Sequence, residues 1–365
     1  MATMQQLIRT PITDMFGVKH PVILAGMNVA AGARLASAVT NAGGLGVIGG
    51  VNYTPAQLQA VIDELKDGLH DKSAPFGVDL LLPKVGEGAR STNYDYTHGT
   101  LDALIDIVIA SGAKLFVSAV GVPPARTVER LHASGIYVMN MIGAVKHIKP
   151  ALAAGVDIIC AQGGEGGGHT GATPTSILIP KAVDACRNHT SPLTGVQVPV
   201  VAAGGIFDSR GLAMSLSLGA EAVWVGTRFV ASEEASAPPR HKKGIVAAGY
   251  DDTYRTLIYT GRPLRVIKNA YASDWEDNRP REIVELCKSG KLPYEDDMEK
   301  REKEGRPLQG RAHIEAIPLL AGCVVGAIDN ILPAKVIVEE MVVGAANIVK
   351  RNASLVVGGE AQAKL

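Results

Sequence analysis

The sequence predicts an α/β fold, a (β/α)8 TIM barrel carrying a mainly helical insertion after its eighth strand. Eight short β-branched runs recur through the first two thirds of the chain. Several are apolar almost throughout rather than alternating, as strands buried on both faces of a parallel sheet are. Segments with helical spacing lie between them, and eight such alternations before residue 231 fit a closed barrel better than the alternative, an open doubly wound sheet.

The strands are expected, in order, in HPVILAG from residue 20, GGLGVIGG from 43, FGVDLLL from 76, KLFVSAVG from 114, YVMNMIG from 137, VDIICAQG from 156, VPVVAAGG from 198 and AVWVGT from 222. Among the helices, TPAQLQAVIDELKDGL opens with Thr54 as N-cap and Pro55 at the first helical position. PPARTVERLHASG from 123 ends on a glycine suited to a C-cap, and DSRGLAMSLSLGA from 208 follows the seventh strand. Residues 231–313 are charged, irregular and poor in strand signals, which predicts a helical cap on the substrate side of a barrel spanning 1–230. PYEDDMEKREKEGRP, within that cap, reads as a solvated helix face or loop. The apolar stretch from Ile314 onward predicts one or two helices, within 314–365, that return to complete the barrel.

Composition narrows the function. The 365 residues are 47% hydrophobic, and 36 basic side chains balance 36 acidic ones. With no net charge and no basic run, nucleic acid is not expected as a partner. Cys160, Cys186, Cys287 and Cys323 show neither metal-ligand nor redox spacing and are expected to be free thiols, with no metal bound. No apolar run approaches the roughly 20 residues of a membrane-spanning helix, and the N-terminus lacks a signal-type apolar core. An intracellular protein with no membrane partner is therefore expected. The C-terminal Ala363, Lys364 and Leu365 resemble the S-K-L address, which would imply the peroxisome in a eukaryote and the cytoplasm otherwise.

In such barrels ligands bind at the C-terminal ends of the strands, and there the glycines crowd. Gly26 follows the first strand, Gly163 and Gly164 the sixth, Gly204 and Gly205 the seventh, and Gly226 with Thr227 the eighth. Bare backbone N–H groups after the last two strands suit a phosphate. Gly166, Gly168 and Gly171 satisfy G-x-G-x-x-G, but the acidic residue about 20 positions on, Asp184, falls inside an amphipathic segment, so a dinucleotide fingerprint is discounted. His169, set in a glycine loop at a strand end, is the candidate general base, since its unperturbed pKa near 6.5 suits neutral pH. Glu165 is placed to orient the loop or the imidazole, or else to stand as a solvated loop carboxylate. His147 is the next histidine considered and reads as a helix-surface residue. Tyr254, Tyr259 and Tyr271 of the cap are candidates to line the substrate pocket, with a buried structural role the preferred reading of each.

The strings AQGGEGGGHTG from 161 and PVVAAGGIFDSRGLAMSLSLGAEAVWVGTRF from 199, with GVKHPVILAGM from 17 and NAGGLGVIGG from 41, resemble the nitronate monooxygenase family. TGRPLRVIKN from 260 resembles the family's next segment. The resemblance implies FMN held without a covalent link, with nitronates, and nitroalkanes where His169 removes the α-proton, oxidised by O2 to carbonyl compounds and nitrite. It places the flavin on Ala25, Gly26, Met27, Gln162 and Gly167, and its phosphate on Gly204, Gly205, Gly226 and Thr227. Asp79 stands where many relatives carry an amide that contacts flavin, and a carboxylate cannot donate a hydrogen bond unless protonated. Cys323 stands where relatives often have Gln. The superfamily also contains FMN-dependent NAD(P)H:quinone and enoyl reductases, the second reading. A phosphate-binding barrel without redox chemistry is the third.

Overall fold

The structure, a computed structural model, describes residues 4–357 apart from 86 and 88. Its strands are β1 (Val22–Leu24), β2 (Gly46–Gly49), β3 (Phe76–Leu80), β4 (Leu115–Ser118), β5 (Tyr137–Ile142), β6 (Ile158–Gln162), the two-residue β7 (Gly168–His169), β8 (Val200–Ala203), β9 (Ala222–Val225), β10 (Thr253–Thr256) and β11 (Leu264–Ile267). Every one of the eight expected runs contains a barrel strand. All eight pair in parallel in the order β1-β9-β8-β6-β5-β4-β3-β2, and a parallel bridge between Ile23 and Leu45 joins the two ends of that row into a barrel.

Side chains alternate between two cores because successive strand residues point to opposite faces. Ile23, Val47, Leu115, Val117, Met139, Ile158, Cys160, Val201 and Trp224 fill the interior. Val22, Ile48, Val78, Phe116, Val138, Ile159, Val200 and Val223 face outward and meet the helices. Burial on both sides is why these strands read as continuous apolar runs. An N-terminal helix, Pro11–Phe16, was not foreseen. Thr10 and Thr13 cap its start reciprocally, and its Ile12 and Phe16 join the interior core, plugging one end of the barrel.

The expected helices form as their caps dictate. Pro55–Gly68 begins behind Thr54, which forms a capping box with Gln57. Ala125–Ala133 ends before Gly135, whose φ of +68° is left-handed. Ser209–Ser217 starts behind Asp208, whose carboxylate accepts from the Gly211 N–H.

After β9 the insertion contains helices Pro239–Ala247, Pro280–Lys288 and Pro293–Lys303, but it is not helical alone. β10 and β11 form an antiparallel pair, and β11 also pairs with β7 from the glycine loop. The missed hairpin has a plain cause: its strands are four residues long and its third partner consists of one glycine and one histidine, which carry no strand signal. The insertion has a core of its own around Trp275, Ile258, Leu264, Val266 and Ile283. Of the three cap tyrosines only Tyr259 is buried, while Tyr254 and Tyr271 are half-buried; Tyr254, Tyr259 and Tyr271 donate to Asp277, the Ala316 carbonyl and Asp297. The chain then returns through Gly310–Ala316 and a short turn at Cys323–Ala327 to the long helix Ala334–Ser354, which packs on Ser209–Ser217. A Cβ on Gly344 would lie 2.5 Å from the Ser209 side chain, so glycine there sets how closely the two helices approach. No described helix is long and apolar enough to cross a membrane. Ala363, Lys364 and Leu365 lie outside the described residues.

Candidate active site

The expected site residues gather at the C-terminal ends of the strands in two groups. The first lies over β1, β2, β3 and β9. A Cβ built on Gly226 would sit 3.5 Å from both the Ala25 methyl and the Met27 sulfur, so these three residues share one small space. Gly26 lies directly against Asp79, where a Cβ would come within 2.3 Å of the carboxyl oxygen. Asp79 points into the barrel mouth from β3, is 2% exposed, and its Oδ1 has no hydrogen-bond partner. No described cation faces it. Burial raises its pKa well above the usual carboxylate range, and the buried Cys160 thiol nearby is raised by its own burial and then by Asp79. A carboxyl in this state holds its proton more readily, and only when protonated can it donate a hydrogen bond.

The second group lies over β6, β8 and β9 and is built of backbone. Gly204 and Gly205 have φ of +89° and +74°, a conformation that favours glycine. Gly204 abuts the Gly163 backbone, where a Cβ would meet the carbonyl oxygen at 2.8 Å. Glu165 settles its alternatives in favour of the loop: its carboxylate accepts from the Thr175 N–H at 3.0 Å and is 2.8 Å from the Thr175 hydroxyl. It thereby caps the helix Thr175–Cys186 and makes no bond to the imidazole. Asp184 lies in that same helix, away from any strand end. Thr227 accepts from the Gly322 N–H at 2.9 Å, tying the returning segment to the end of β9. Gly167 is pressed against that segment, with the Ala321 carbonyl carbon and the Gly322 nitrogen each 2.7 Å from a built Cβ. Its bareness thus serves chain packing.

His169 stands between the groups. Its backbone carbonyl accepts from the Gln162 side chain at 3.0 Å, and β7 pairing places it opposite Leu264. Its Nε2 is 3.0 Å from the Thr260 hydroxyl. Burial, aided by the nearby Arg262 charge, lowers its pKa to about 4. The ring is therefore neutral across the physiological range. Sequence reasoning missed both Thr260 and Arg262 as its neighbours, although they lie in the TGRPLRV string. A hydroxyl partner from 91 positions away leaves no local signal at the histidine. His147 is exposed on a short turn. Cys323 is half-buried and lines a cleft beside Gly164 and Glu165.

An FMN would find here an orphaned buried carboxyl beside side-chain-free backbone at Gly26, and consecutive left-handed glycines at the end of β8. Both features suit a planar ring with hydrogen-bond acceptors and a phosphate.

The family model described as nitronate monooxygenase matches residues 9–344. A (3aS,4S,5R,7aS)-5-hydroxy-7a-methyl-1-oxo-octahydro-1H-indene-4-carboxyl-CoA dehydrogenase from Mycobacterium tuberculosis is 37% identical over 283 residues, 78% of this chain and 69% of the relative. A probable nitronate monooxygenase from Staphylococcus saprophyticus is 32% identical over 311 residues, 75% of this chain and 83% of the relative. Among solved structures, FabK from Thermotoga maritima superimposes with a TM-score of 0.76 at 30% identity, covering 96% of this chain and all of that one.

Proposed function

Because the chain belongs to the nitronate monooxygenase family, and is an enzyme of the flavin oxidoreductase type, we propose that it binds FMN and oxidises nitronates with O2. Bound FMN supplies the electron-transfer and oxygen chemistry; the protein's residues bind, orient and exclude water. Asp79, holding its proton, donates to an acceptor on the ring, and Gly26 lets the ring lie against it. Ala25, Met27 and Gly226 wall the same space. Gln162 fixes the loop carbonyl that sets the His169 ring, and Thr260 fixes the imidazole edge. Gly204, Gly205, Gly226 and Thr227 cradle the phosphate.

The observation that carries the reading is His169, a neutral imidazole on a tethered strand at the barrel mouth. A base is most effective with a pKa near the working pH, and burial has moved this one down to about 4. His169 is then a weak base for a neutral nitroalkane. A weak base suffices for a nitronate, which arrives deprotonated, with Arg262 nearby as a positive charge for the anion. Nitronates should be turned over faster than the parent nitroalkanes, and the His169→Asn variant should lose about 10²-fold or more on nitroalkanes while keeping its flavin and most activity on nitronates. Equal losses on both would assign His169 to binding.

A second reading has a specific basis. The similarity to FabK and to a CoA-ester dehydrogenase favours a pyridine-nucleotide-dependent reductase on the same barrel. Anaerobic mixing of FMN-loaded protein with NADH or with a nitronate separates the two, since bleaching by NADH alone would establish the reductase.

A further inference from the structure

β10 and β11 pair so that Arg255 lies directly opposite Arg265, which puts both side chains on one face of the ladder. The other face carries Tyr254, Leu264 and Val266 into the core of the insertion. Gly168 of β7 is next in the row, opposite Arg265, and adds no side chain to that face. Like charges directly opposite one another destabilise a sheet, and here no described carboxylate comes within ion-pair distance of either guanidinium. That is not general in this molecule, where Arg130, Arg279 and Arg301 all take carboxylate partners. Arg265 donates to the Gly164 carbonyl at 3.0 Å and to Thr253 at 3.1 Å, while its Nε is buried without a partner. Arg255 is exposed and has no hydrogen-bond partner among the described residues. Both arginines line a cleft of about 280 Å³ with Gly164, Gly171, Ala172 and Cys323. The one acidic wall residue, Glu165, is occupied by Thr175.

We propose that Arg255 and Arg265 form an anion subsite that receives the phosphate groups of a carrier-linked substrate, a nucleotide-diphosphate thioester of the coenzyme A class, beside the glycine loop. This rests on the reading of the chain as a flavin oxidoreductase and, within it, on the second reading, a reductase, for which it names a substrate class. Two adjacent guanidiniums offer a double positive charge and several parallel donors, which match a diphosphate better than a single carboxylate. The cleft falls just below the roughly 300–1,000 Å³ of pockets that enclose a whole small ligand. It has room for a headgroup, with the rest of the carrier lying outside. Burial and the neighbouring Arg265 charge both lower the Arg255 pKa, as expected for two cations held together without an anion. Gly204 and Gly205 are not among the residues that line the cleft, although Glu165 of its wall lies against Gly205.

The test is calorimetric titration of the FMN-loaded full chain with coenzyme A, NADP⁺ and inorganic pyrophosphate at low salt, repeated with Arg255→Ala. Because Arg255 is exposed and unpaired, its loss should leave folding and FMN content intact, and the visible spectrum checks both. The expected result is salt-sensitive coenzyme A binding, displaced by pyrophosphate and weakened at least tenfold in the variant. Equal binding to both proteins, or no binding of any probe, would overturn the proposal. Arg255-dependent binding of NADP⁺ without coenzyme A would assign the pair to a nucleotide cosubstrate instead. Loss of FMN in the variant would assign it to the flavin's own phosphate. A wild-type chain that takes up no FMN would sink the flavin reading while leaving the anion titration readable on its own.

Discussion

A half-buried histidine and a buried carboxyl are moved in opposite directions at the barrel mouth, and each makes a pH prediction. Burial disfavours whichever form is charged, so His169 loses its proton more readily and Asp79 keeps its own. For His169, with a folded pKa of about 4 against roughly 6.5 unfolded, the unfolded chain binds the extra proton between those values. Stability should therefore fall as pH drops from about 6.5 towards 4, and His169→Asn should flatten that decline in thermal melts. For Asp79 the folded pKa lies above the unfolded one. Its contribution is present below the unfolded pKa and is lost as pH rises. Asp79→Asn, which keeps the shape and supplies a permanent donor, should thus stabilise the flavin-free protein more at pH 8 than at pH 5. Equal shifts in melting temperature at the two pH values would mean that Asp79 is ionised in the fold. The Asp79 substitution was visible in the sequence as FGVD, but its raised pKa was not, because that depends on burial with no described cation beside it, in a space assembled from separate strands.

At the scale of elements, the glycine loop serves several purposes that its composition alone does not separate. Gly167 makes room for the returning backbone, Gly168 belongs to a small sheet, and only Gly204 and Gly205, on the neighbouring loop, combine left-handed backbone with a position suited to an anion. Replacing Gly205 by Asp adds a charge where the flavin phosphate is proposed to sit, and should yield protein purified without FMN. Gly205→Ala tests strain alone, since its methyl would lie 3.2 Å from the Glu165 Cβ. It should keep most of its FMN. Full FMN content in Gly205→Asp would move the phosphate elsewhere. The strands and capped helices were legible because their signals are local: burial on both faces, a Thr-Pro start, a glycine stop. The β7–β11–β10 sheet was not, because its pairing joins the glycine loop to a hairpin about 90 positions further along the chain. His169 was singled out from its glycine neighbours, while Thr260 and Arg262, which hold and polarise it, depend on that distant pairing.

For the whole molecule, the barrel supplies a ring of strand ends, and the insertion supplies further walls beside it. The barrel mouth holds Asp79 and the bare glycines, to which the flavin is assigned under the proposed function. The insertion adds Thr260, Arg262 and the Arg255–Arg265 pair, the residues that the proposals above assign to the substrate. Under the proposed function electrons enter the flavin site from a nitronate, and this is measured by anaerobic stopped-flow absorbance of the FMN-loaded protein. A nitronate should bleach the flavin rapidly, and NADH and NADPH should not. Rapid bleaching by a reduced pyridine nucleotide, with none by a nitronate, would overturn the nitronate as electron donor.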